Sequence, residues 1–194
     1  MSIKMLDIAS LSKTVGLLDG VLVLRPVARE MFEKSKVTNE EVIPGDVVLC
    51  DLFGIQDCSS SFVDEFILGW QRLICERQNV MFVLANMNED VQYTVEAALN
   101  QRNRLSKESL SLIAYSKGHY TVLGNKLERN ALEVFALMNE GSHISAREVA
   151  DKFDLELNSA GNRLKKLYDA RVVMRSEQSA DAGGKFEYYL PDIK

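Results

Sequence analysis

Two apolar runs mark the first half of the chain. Val47-Val-Leu-Cys-Asp-Leu52 and Val80-Met-Phe-Val-Leu-Ala85 carry almost no polar positions. Runs of this length read as strands covered on both faces. Val21-Leu-Val-Leu-Arg25, following Asp19-Gly20, predicts a further strand, as do Ser109–Tyr115 and Tyr120–Leu123. Between them the period changes to 3.6. Pro26 fits a helix opening over Val27–Lys36, with Val27, Met31 and Phe32 inward. Ile43-Pro-Gly-Asp46 is a turn. Val63, Phe66, Ile67, Trp70, Leu73 and Ile74 form one stripe of a helix over 60–78, with Asp64, Glu65, Arg72 and Glu76 opposite. Val91, Val95, Ala98 and Leu99 do the same over Glu89–Gln101. Residues 3–19 are weakly patterned. Strands alternating with helices predict crossover units and a largely parallel or mixed sheet, an α/β class fold over residues 1–123.

After Gly124-Asn125, a plausible hinge, the pattern is helical. Lys126–Asn139 places Leu127, Ala131, Val134, Phe135 and Met138 on one face. Ser145-Ala-Arg-Glu148 fits a capping box at the start of a second helix ending near Phe153. A third helix, from Asn158 to about Ala170, buries Ala160, Leu164, Leu167 and Tyr168. Strands at 172–176 and 185–190 flank Asp181-Ala-Gly-Gly184, a hairpin turn. Three helices and a hairpin describe a small α+β domain over 126–194.

Composition narrows the partners. At 46% hydrophobic and 26% charged, the 194 residues carry a real core. No apolar run is long enough for a bilayer, and the N-terminus lacks a secretory pattern, so a cytoplasmic protein without a membrane partner is expected. Cys50, Cys58 and Cys75 show no metal spacing and read as reduced thiols. With only His119 and His143, no metal site and no cofactor is expected. Net charge is −5. Residues 126–194 hold 11 basic and 12 acidic side chains, a net −1. Within them Arg163, Lys165, Lys166, Arg171 and Arg175 face only Asp169, a local basic spot.

The segment Asp51-Leu-Phe-Gly-Ile-Gln-Asp-Cys-Ser-Ser-Ser-Phe62 joins a strand to a helix through a polar loop. It resembles the strand–loop–helix signature of STAS domains, the fold of bacterial anti-anti-sigma factors. The form Ser-Ser-Phe-Val-Asp-Glu-Phe is closer to an uncharacterised bacterial STAS-like family. Phe62 stands where anti-anti-sigma factors carry glycine. The resemblance implies a switch serine phosphorylated by a histidine-kinase-like ATPase, and spacing from Asp51 assigns it to Ser60. Ser59, Ser61 and Asp57 are its candidate companions. A phosphate there would gain from the helix start, while Asp57, Asp64 and Glu65 would repel it. The alternative is that the three serines only cap the helix; a small ligand in the same crevice is a third reading.

Leu157-Asn-Ser-Ala-Gly-Asn-Arg-Leu-Lys-Lys-Leu-Tyr-Asp-Ala-Arg-Val-Val173 resembles the recognition helix and following strand of bacterial winged helix-turn-helix regulators. That resemblance implies contact with double-stranded DNA through Asn158, Ser159, Asn162, Arg163, Lys165, Lys166 and Arg175. It predicts a transcriptional regulator, acting as a homodimer, whose STAS-like domain is the sensor or partner switch. The rival is a protein-interaction adaptor that never touches DNA. The acidic total, Gly161 within the helix and the hairpin stretch Ser176–Gly184 without Lys or Arg favour the rival. Acidic side chains neutralising the face around Arg163, Lys165 and Lys166 would decide for it. No nucleophile elbow, phosphate-binding glycine loop or zinc-protease motif occurs, so catalysis is not expected.

Overall fold

A computed structural model describes the whole chain except residues 18–19, 107, 125, 139–140, 178–185 and 194; the side chains of 37–40 are also left out. The fold is mixed α/β. Its centre is a five-stranded sheet built from β1 (Ile3–Asp7), β3 (Val47–Asp51), β5 (Met81–Ala85), β6 (Leu112–Ser116) and β7 (His119–Leu123), in that spatial order. The first four run parallel and β7 is antiparallel to β6. Two short strands, β2 (Val21–Leu22) and β4 (Asp57–Cys58), pair separately. The expected strand at 21–25 is therefore only two residues long and lies outside the main sheet. Leu24 takes a positive φ of 71° and Arg25 already opens α2 (Arg25–Glu40), which cuts the strand short.

Alternation along the strands divides the core. Val48 and Cys50 of β3, with Phe82 and Leu84 of β5, face the helical side. There α2, the helix beginning at Ser60 and α5 (Glu89–Leu105) bury Met31, Phe66, Trp70, Val95 and Leu99. α1 (Ile8–Lys13) adds Ile8. Burying each such side chain contributes about 1.5–3 kcal/mol. Trp70 lies over Phe82, ring centroids 6.1 Å apart, and its Nε1–H donates to Ser35 Oγ at 2.9 Å.

The other residues of the same strands, Val47, Leu49, Met81, Val83, Ala85 and Ile113, face the C-terminal segment. That segment comprises α6 (Arg129–Phe135), β8 (His143–Ser145), α7 (Ala146–Phe153), α8 (Leu157–Asp169), β9 (Met174–Glu177) and β10 (Phe186–Tyr189). Its strands form a separate antiparallel sheet, β8-β10-β9. The expected turn at Asp181–Gly184 lies outside the described residues. Ala131, Val134, Leu164, Leu167 and Val172 join the sheet residues in one buried cluster. Polar ties run alongside: Arg171 donates to the Cys75 carbonyl at 3.2 Å, the Arg175 N–H to Asn79 Oδ1 at 2.9 Å, and the Tyr120 hydroxyl to the Pro191 carbonyl at 2.7 Å. Gly124, the first residue of the expected hinge, is closely packed. With φ +97°, a Cβ there would stand 2.8 Å from Leu99 Cδ2; Asn125 lies outside the described residues.

Ser145 and Glu148 make the expected capping box. Ser145 Oγ accepts the Glu148 N–H at 3.3 Å, and Glu148 Oε2 accepts the Ser145 N–H at 2.7 Å. Among the described residues no helix is long and apolar enough to cross a membrane.

Candidate functional site

The serine segment leaves the carboxyl end of β3. Asp51 Oδ1 accepts from the Phe53 N–H at 3.0 Å and from Asn86 Nδ2 at 2.8 Å, fixing the strand exit. Asn88 Nδ2 donates to the carbonyls of Ile55 and Gln56. The chain then pairs as β4 and enters a helix. The residue that caps it is Ser59: its backbone is extended and its Oγ accepts the Phe62 N–H at 3.2 Å. Ser61 Oγ lies 3.0 Å from Ser59 Oγ. Ser60, the expected switch residue, is the first helical residue and is exposed. The capping and candidate-switch roles thus fall on neighbouring serines.

A short helix, α3 (Ser60–Phe62), passes into a π-helical stretch, Val63–Ile67, and then α4 (Leu68–Cys75). The wider π turn broadens the buried face beyond the expected stripe. Phe62, Leu68 and Gln71 are buried as well, and Phe62 and Phe66 stack at 5.4 Å. Asp64 and Glu65, though adjacent in the chain, share a cationic partner. Arg25 Nη1 donates to Asp64 Oδ2 at 3.2 Å and to Glu65 Oε2 at 2.8 Å. Hydrogen bonds to Asp64 and then Glu65 hold the Arg25 guanidinium above its ordinary pKa. Arg29 Nε meets Glu65 Oε1 at 2.8 Å, and Arg72 Nη2 meets Glu108 Oε2 at 3.1 Å and Asp64 Oδ1 at 3.5 Å. Arg102 completes the network, its Nε 3.6 Å from Asp64 and 3.7 Å from Glu108.

A groove of about 370 Å3 opens where this network meets the serines, lined by Arg25, Ser60, Ser61, Asp64, Arg102 and Leu105, among others. The expected repulsion of an anion here needs correcting: Asp64 and Glu65 are paired with arginines, and Asp57, exposed on β4, does not line the groove. Arg25, Arg29, Arg72, Arg102 and Glu108 were not anticipated. Their partners lie 36 or more residues away in sequence, except for Arg72 with Asp64 and Arg102 with Glu108, so little local signal marks them.

The C-terminal candidates separate in space. Asn158, Ser159, Asn162, Lys165 and Lys166 are exposed on α8, opposite buried Ala160, Leu164, Leu167 and Tyr168. The two lysines are engaged, however. Lys165 bonds to Asp169 on the same helix, and Lys166 Nζ lies 2.8 Å from both Glu128 carboxylate oxygens. Arg175 is not on the polar face. Its guanidinium lies 4.1 Å from the Tyr168 ring centre and 4.2 Å from that of Phe186. Arg171 reaches Cys75 instead. Arg163 sits 5.5 Å over Phe153 and, among the described residues, has no carboxylate partner. The basic spot that the linear sequence presents is therefore dispersed, and two of its five cations are held by carboxylates. Buried Cys50 and Cys58 carry thiols whose pKa burial pushes up, that of Cys58 to about 12. No protein-family model matches the chain, and no curated protein matches it either.

Proposed function

We propose that this protein is a non-enzymatic regulatory adaptor that works by engaging other proteins and does not read DNA. Residues 1–123 act as a STAS-like unit with Ser60 as its switch residue, and 126–194 as a winged-helix unit used for packing and protein contact. The mixed sheet and the serine-led helix after β3 support the first assignment. Three helices with the β8-β10-β9 sheet support the second. The partner class implied by the STAS resemblance is a histidine-kinase-like ATPase.

One observation carries the choice of adaptor over DNA-binding regulator: Lys165 and Lys166 are paired with Asp169 and Glu128. Non-specific DNA affinity comes mainly from cations that neutralise phosphates. A helix whose lysines already hold carboxylates, on a chain of net charge −5, offers few. Exposure of Asn158, Ser159 and Asn162 favours the DNA reading and sets the test. The chain is titrated against mixed genomic DNA fragments at low salt. Absence of binding supports the adaptor. Salt-dependent binding that is lost in Arg163→Ala/Lys166→Ala would overturn it.

A further inference from the structure

The groove beside Ser60 holds an arginine with its donors unused. Among the described residues the Arg102 guanidinium donates no hydrogen bond. Its Nε is closed to solvent yet stands 3.6 Å from Asp64 Oδ1, itself solvent-closed and without a hydrogen bond. Beyond about 3.5 Å such a contact is an ion pair only. Arg25 meets its two carboxylates through Nη1 alone. Its Nε and Nη2 therefore remain to be used, and half of the side chain is exposed. The surrounding network sets four arginines, Arg25, Arg29, Arg72 and Arg102, against three carboxylates, Asp64, Glu65 and Glu108. It is one negative charge short of balance. Ser60 and Ser61 line the same groove, and Ala98 and Leu105, the latter 73% exposed, give it an apolar wall.

We propose that this groove is a binding site for the phosphate group of a small phosphate ester, held between Arg25 and Arg102 with the organic part against Ala98 and Leu105. The negative charge of the phosphate offsets that excess of positive charge. The phosphate also accepts the planar fork of Arg102, a geometry that arginine offers to phosphate and lysine does not. The hydroxyls of Ser60 and Ser61 can donate to the remaining oxygens. Binding requires no covalent change and no partner protein, so it goes beyond the adaptor reading and stands or falls separately.

The test is a nuclear magnetic resonance titration of the full chain with inorganic phosphate and with phenyl phosphate, against sodium chloride of equal ionic strength. Saturable shifts are expected at the amides of Ser60, Ser61 and Arg102, with phenyl phosphate the tighter ligand. Arg102→Gln should weaken both ligands by about tenfold or more, the worth of a lost charge-assisted fork. Leu105→Ala, at an exposed position, should weaken phenyl phosphate and leave inorganic phosphate unchanged. Shifts no larger than those with chloride would overturn the proposal, and so would an Arg102→Gln chain that binds as wild type. Should Arg102→Gln fail to fold, the shift map and Leu105→Ala decide alone. Neither result touches the DNA titration, so failure of one reading is distinguishable from failure of the other.

Discussion

Lys166 reaches back from α8 to place its Nζ 2.8 Å from both carboxylate oxygens of Glu128, the residue that opens α6. The hydrogen bond from Lys166 holds the Glu128 carboxyl below its ordinary pKa, so that carboxyl is ionised at neutral pH. The contact is exposed and of the kind that adds little stability. Its weight is in what it withholds: a lysine on the polar face of α8. Replacing Glu128 and Asp169 together by alanine should release Lys166 and Lys165. We expect the double variant to gain weak DNA binding that disappears as salt is raised, measured by fluorescence anisotropy beside an inert wild type. A variant as inert as wild type would show that pairing is not what keeps α8 off DNA.

The capping box should leave a pH signature. Hydrogen bonds from the Ser145 backbone and then its side chain lower the Glu148 pKa. A carboxyl depressed by folding stabilises above its unfolded pKa, and that contribution is lost as pH falls through the lowered folded value. Wild type should therefore lose stability relative to Glu148→Gln as pH drops from 6 toward the acid range, read as urea midpoints at several pH values. Ser145→Ala should cost about 1 kcal/mol at neutral pH. Parallel pH profiles for wild type and Glu148→Gln would count against the box.

Gly20 is the tightest backbone approach in the serine segment's support. It has φ +67°, its carbonyl accepts the Gln56 N–H at 2.8 Å, and a Cβ would fall 2.4 Å from the Gly54 carbonyl oxygen. Gly20→Ala combines a left-handed backbone with a clash against another backbone atom. The cost should be about 2–4 kcal/mol, seen as a lowered melting temperature. Gly16→Ala, with φ +76° but open space around its Cβ, should cost only about 1 kcal/mol. Equal losses at the two positions would contradict the close approach.

The cysteines should differ in reactivity. Cys50 and Cys58 are buried, and burial keeps the Cys58 thiol protonated up to about pH 12. Cys75 is half-buried. Iodoacetamide at pH 8 should mark Cys75 slowly, and the other two only after denaturation, since the thiolate is the reactive form. Peptide mass spectrometry reads the sites directly. Rapid labelling of Cys58 in the native protein would show that the serine segment opens.

Much of this fold can be read from residue spacing. The α5 and α8 stripes bury Val91, Val95, Leu99, Ala160, Leu164 and Leu167 as expected, because each helix has one neighbour-facing side. β3 and β5 are recognisable because a strand covered on both faces needs apolar residues throughout. β1 escapes for the opposite reason: at the sheet edge only Leu6 is buried, leaving Ile3-Lys-Met-Leu-Asp7 almost without pattern. The three-residue β8 is too short to carry one. At the candidate site the serines are visible as a loop before a helix, but the arginines are not. Arg25 and Arg29 are drawn to Asp64 and Glu65 by tertiary packing of α2 against a π turn that has no sequence signature. Arg175 misleads in the other direction. It counts as a positive charge in the sequence, yet in space it is filling between Tyr168 and Phe186.

The sheet has no face to spare. Val47, Leu49, Met81, Val83 and Ile113 are kept dry by the C-terminal segment, so each half of the chain serves as the other's oil. Cutting at Gly124 would leave residues 1–124 with a bare apolar floor, a surface prone to aggregation. Removing residues 126–194 would therefore strip the remaining part of one half of its core, where two units joined by a bare linker would each keep their own. The helix that begins at Ser60 and the buried stripe of α8 thus draw on opposite faces of the same strands.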